Sequence, residues 1–95
     1  MNQPTGLIHW VLTAHAESVM RRREIGVDLV AQVVTVPDQR HPDRPGRDVF
    51  QRRLPFGDPG RDYLVRVFVD MDRTPAEVVT AYRTSKIDKY WRAES

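Results

Sequence analysis

Ninety-five residues, 40% apolar and 29% charged, suffice for one domain with one core and are too few for two. That composition excludes wholesale disorder, and the absence of cysteine excludes a disulfide framework, a thiolate metal site and a cysteine nucleophile. The formal charge is only +2, yet residues 1–46 balance five cations against five acids while residues 47–95 hold ten against eight, and 13 of the 15 cations are arginine. Such an arginine bias fits phosphate recognition. No stretch approaches the length of a membrane span. The N-terminus also lacks the basic start and apolar run of a signal peptide, so the expectation is a cytoplasmic protein without a membrane partner.

In chain order, residues 1–12 read as a lead-in strand, with Leu7 to Leu12 as its apolar run. Thr13 is placed to N-cap a helix in which Ala16, Val19, Met20 and Arg23 share one face at i, i+3, i+4 and i+7. Asp28 is the expected cap of a second helix with Leu29, Val30, Val33 and Val34 as its stripe and Pro37 as its stop. Residues 13–36 thus form a helical hairpin. Residues 37–46, with three prolines, read as a polar surface loop.

From residue 47 the period becomes that of strands, and residues 47–85 read as an antiparallel meander with short turns. Tyr63, Val65, Val67 and Val69 face one way. Leu64, Arg66, Phe68 and Asp70 face the other. A short C-terminal helix over 86–92 closes the chain. The predicted architecture is α+β: the hairpin packed on one face of an antiparallel sheet of three or four strands.

Several side chains point to chemistry. His15, in the first turn of its helix, is the candidate acid or base, against the alternative of a histidine bonded to the sheet or to solvent. Arg21, Arg22 and Arg23 fan around the helix and cannot all serve one ligand. Arg66 in mid-strand must be paired or line a site, and Asp70 is its candidate structural partner. Alternation sends Gln51 and Arg53 to one face and Arg52 to the other; a face shared with Arg66 and Tyr82 would be a basic platform for a nucleic-acid backbone. Tyr82-Arg83-Thr84-Ser85-Lys86 places phenol, guanidinium, hydroxyls and ammonium side by side at a strand end, where they can hold a phosphate or simply keep an edge soluble. His9 and His41 form no metal-binding spacing with His15, and no metal is assigned.

Taken together, His15-Ala16, Met20, Arg23, Ile25, Val30, Val33, Pro37-Asp38, Val49-Phe50-Gln51, Leu64-Val65-Arg66-Val67 and Val79 to Lys86 resemble an uncharacterised domain family of short bacterial and phage proteins. The family pattern runs His-Ala, Arg-Met, Arg-x-Ile through to Tyr-Arg-Thr-Ser-Lys, and the family is grouped with the barnase, EndoU, colicin and RelE-type ribonucleases, many of them toxins. The likeness covers nearly all of the chain after residue 12. It departs where the family has arginine before the methionine and this chain has Val19.

The resemblance implies a small metal-independent ribonuclease without cofactors. It would act on RNA by 2′-OH attack on the phosphate, restrained by an antitoxin or immunity protein. It implies His15 as base or acid, Arg66 and Lys86 on the phosphate, Tyr82 or Ser85 as hydrogen-bond donors and Arg23 in support, with Arg22, Arg52, Arg53, Arg83 and Lys89 along the backbone. The alternative is a non-catalytic RNA- or protein-binding module on the same fold. A degenerate structural relative would instead show Arg66 saturated by Asp70 and no open cleft beside Lys86.

Overall fold

The computed structural model describes residues 3–93. It is α+β, with the order β1 (Trp10–Leu12), α1 (Ala14–Arg22), α2 (Val27–Thr35), β2 (Gln39–Arg44), β3 (Arg47–Phe56), β4 (Arg61–Asp70), β5 (Ala76–Thr84) and α3 (Ile87–Tyr90). The strands form one five-stranded sheet ordered β1-β5-β4-β3-β2. The expected meander is β3-β4-β5, fully antiparallel. Two edge strands extend it beyond the predicted three or four. β1 runs parallel to β5, which makes the sheet mixed, and β2 runs antiparallel to β3.

β2 replaces the loop expected over residues 37–46. Its prolines misled the pattern because proline cannot donate to a ladder, but an edge strand has one side that needs no donor. Pro42 lies opposite Asp48 on that edge, next to a register shift between Pro42 and Arg44. Gln39 and His41 are buried with alternation intact. The lead-in strand is shorter than expected. Only Trp10–Leu12 pair with β5, and Leu7 N–H instead donates to the Val34 carbonyl at 2.7 Å, tying the lead-in to the end of α2. Residues 1 and 2 of the predicted strand lie outside the described residues.

Two short helices form within residues 13–36, Ala14–Arg22 and Val27–Thr35. Thr13 caps α1 by accepting from Ala16 N–H at 3.0 Å. Asp28 does not cap α2: the helix begins two residues earlier with Gly26 as an N-cap that offers no side chain, and Asp28 lies in the first turn, where its charge complements the positive helix end. Both helices pack on one face of the sheet, α1 against β5 and α2 against β3 and β4. The core joins Ala16, Met20, Val30, Val33 and Val34 to Phe50, Val65, Val67, Val69, Val78 and Ala81. Val19, where the resembled family has arginine, is buried at 2% exposure and extends that helical stripe.

One irregularity decides what the opposite face carries. Thr80 pairs with Phe68 and Val78 with Val69, so Val79 is an extra residue in β5. Strict alternation from Val78 would turn Tyr82 toward the helices. The bulge instead gives Ala81 to the core and sends Tyr82 to the face free of α1 and α2.

Candidate functional site

On that open face a row of polar side chains crosses four strands: Gln39 opposite Gln51, Gln51 opposite Arg66, and Arg66 opposite Tyr82. Arg66 is its centre, only 8% exposed. Its Nε donates to Gln51 Oε1 at 2.9 Å, Nη1 donates to the Tyr82 hydroxyl at 2.7 Å, and Nη2 approaches His41 Nε2 at 3.4 Å. The Tyr90 ring lies 4.3 Å from its Cζ, with the Phe68 and Tyr82 rings at 5.4 and 5.8 Å. The anticipated partner Asp70 is engaged elsewhere, accepting from Arg47 Nε at 2.7 Å. Among the described residues no carboxylate pairs with Arg66. A buried guanidinium without a counter-ion is costly unless hydrogen bonds and aromatic faces offset its desolvation.

The titratable neighbours of Arg66 are shifted from their ordinary ranges. Burial, then the Arg92 and Arg66 cations, pushes the His41 imidazole below its ordinary range, against the opposing pull of Asp43 and Asp48. A guanidinium only donates, so Nε2 of the neutral ring accepts and its hydrogen resides on Nδ1. That Nδ1 is buried without a partner among the described residues. Burial, against the Arg66 hydrogen bond and charge and with the added effect of Tyr90, raises the Tyr82 phenol, so Tyr82 keeps its proton. Tyr90 moves the other way, lowered by hydrogen bonding with Tyr82 and by Lys89 and Arg66.

The C-terminal segment lies over this cluster. Gln51 Nε2 donates to Gln39 Oε1 at 2.7 Å and to the Tyr90 carbonyl at 3.2 Å. Gln39 grips Arg92 from both sides, its Nε2 donating to the carbonyl at 2.6 Å and its Oε1 accepting from the N–H at 3.0 Å. α3 itself buries no residue. Beside it an open pocket is lined by Arg53, Ser85, Lys86, Ile87, Asp88 and Lys89. Arg53 reaches over the Trp91 ring at 5.3 Å.

The residues singled out in the sequence therefore divide. Arg66 and Tyr82 meet directly, while Ser85 and Lys86 line the adjoining pocket with Arg53 and Lys89. His15 does not join them: it is exposed on α1, which packs on the opposite face. α1 also starts at the far end of β5, where Thr13 N–H donates to Val78. Arg22 ends the same helix and Arg23 is its C-cap; both are exposed, and Arg23 Nη1 donates to the Ala81 carbonyl at 2.9 Å. Arg52 donates to the Val36 carbonyl at the end of α2, and Arg83, opposite Val65, stacks on Phe56. These arginines serve the helical side. His41, Gln39 and Tyr90 belong to the cluster although the sequence did not single them out. The i, i+2 phase of Gln39 and His41, matching Gln51 and Arg53, was the available signal, hidden by Pro42.

Comparison with protein-family models, with curated proteins and with solved structures found no match.

Proposed function

We propose that the open sheet face binds single RNA phosphodiesters and cleaves them by attack of the ribose 2′-OH. The observation that carries this reading is Arg66, nine-tenths buried yet hydrogen-bonded, among the described residues, to the uncharged Gln51, Tyr82 and His41 and to no carboxylate. A phosphate is the anion such a cation lacks. When the phosphate takes the Nη2 donor of Arg66, the Nε2 lone pair of neutral His41 is released and serves as the base for the 2′-hydroxyl proton, in the role that the sequence reading assigned to His15. The 2′-oxygen attacks phosphorus and the P–O5′ bond breaks. Arg66 holds the charge on the phosphorane, and protonated Tyr82 supplies the proton to the departing 5′-oxygen. The products are a 2′,3′-cyclic phosphate and a 5′-hydroxyl. The incoming nucleotide displaces the Tyr90 ring, which covers the guanidinium from a helix that has no buried residue. In a cell this activity would require an antitoxin or immunity protein that occupies the same face.

A second reading, a binding module without cleavage, is favoured by one observation: Tyr90 covers Arg66 while the Lys86 pocket stays open. Inducible expression in a bacterium separates the two. Growth arrest with fragmented RNA, lost in Arg66→Met and His41→Ala but kept in His15→Ala, supports cleavage. Normal growth with intact RNA at good soluble expression supports the binding module.

A further inference from the structure

We infer that the pocket of Arg53, Ser85, Lys86 and Lys89 is a subsite for the phosphate next to the one held by Arg66, and that the Trp91–Arg53 stack receives the attached base. The substrate is then single-stranded RNA. This inference rests on the open face being an RNA site, not on cleavage there.

Position supports it first. Gln51 is directly opposite Arg66 and Arg53 follows two residues later on the same face, which sets Arg53 and Arg66 about 7–8 Å apart on the diagonal. That is the scale on which successive phosphates follow one another along an extended strand. Charge supports it next. Three cations and the Ser85 hydroxyl face one carboxylate, Asp88, in the pocket. The ion pair that engages Arg53, with Asp62, is long at 3.6 Å and its side chains are about half exposed, so a phosphate can displace it readily.

The aromatic partner then selects the strand. Half-buried Trp91 lies against the Arg53 guanidinium, and an unpaired base extends such a stack irrespective of its identity. A base locked in a duplex cannot reach it.

The test uses a 2′-O-methyl oligoribonucleotide, which cannot be cleaved, with binding followed by fluorescence anisotropy over a range of salt. Replacing Lys86 and Lys89 together by alanine is expected to lower the log–log salt slope by roughly 0.7, the value for one lost phosphate contact on a single strand. Trp91→Leu is expected to weaken binding about tenfold with the slope unchanged, as the loss of one base stack does. The duplex of the same sequence is expected to bind more weakly than the single strand. An unchanged slope in the lysine variant, or a duplex bound as tightly as the single strand, overturns the subsite. Because the probe is inert, loss of cleavage elsewhere leaves these outcomes untouched. Binding that is intact in wild type with no RNA cleavage would instead sink only the catalytic reading.

Discussion

Replacing Arg66 by methionine separates a residue kept for a ligand from one kept for the fold. The substitution leaves the fully buried Gln51 Oε1 without its donor, a cost of about 1–3 kcal/mol. It also removes the stack under Tyr90, about 0.5–2 kcal/mol. Tyr82 is only half-buried and its hydroxyl can turn to water at little cost. Against these stands relief from burying a cation that has no carboxylate among the described residues, an effective penalty of several kcal/mol. The two sides cancel to within about 2 kcal/mol.

Urea unfolding of Arg66→Met is therefore expected to give a stability close to wild type. Low-millimolar phosphate, against chloride at equal ionic strength, should raise the wild-type midpoint through binding to the folded state, and raise the variant's far less. A loss above about 3 kcal/mol with no anion effect on wild type would refute the reasoning and make Arg66 a structural keystone.

Other expectations follow from the same packing. Because His41 titrates below its ordinary 6.5 in the fold, its neutral form stabilises the protein fully above that pH. The contribution falls as pH drops from 6.5 toward the folded value, so urea midpoints between pH 7.5 and 5 should decline in wild type and decline less in His41→Gln. Asp70, held low by its hydrogen bond from Arg47, acts in a separate window: its contribution is complete above 3.8 and is lost only as pH falls through the folded value. Glu24 follows α1 at φ 56°, a left-handed position suited to glycine, and Glu24→Gly should raise thermal stability by up to about 1 kcal/mol. A Cβ on Gly6 would collide with the Thr35 carbonyl, so Gly6→Ala should detach the lead-in from α2 and lower stability by about 1–3 kcal/mol, read by thermal unfolding.

What could be read from the chain depended on whether local pattern and tertiary role agreed. The two helices and β4 announce themselves because their apolar periods match the faces they bury, as with Val65, Val67 and Val69. Arg66 and Tyr82 stood out because a buried-looking arginine and a polar strand end both demand a reason. β2 was illegible because Pro42 breaks a strand's signature while its edge position tolerates it. His41 went unseen with it. The bulge at Val79 has no sequence signature of its own, yet it turns Tyr82 toward Arg66. His15 shows the converse: a helix start is a plausible place for an acid–base group, and the packing of α1 on the other face separates it from the guanidinium.

The most direct measurement is end-group analysis of single-stranded RNA incubated with the purified protein, beside the same RNA carrying one 2′-deoxynucleotide. Expected are 2′,3′-cyclic phosphate and 5′-hydroxyl ends, no cut after the 2′-deoxy position, full activity in His15→Ala and none in Arg66→Met. Folded wild-type protein that leaves the RNA intact, or cleavage that survives Arg66→Met and disappears in His15→Ala, would contradict it.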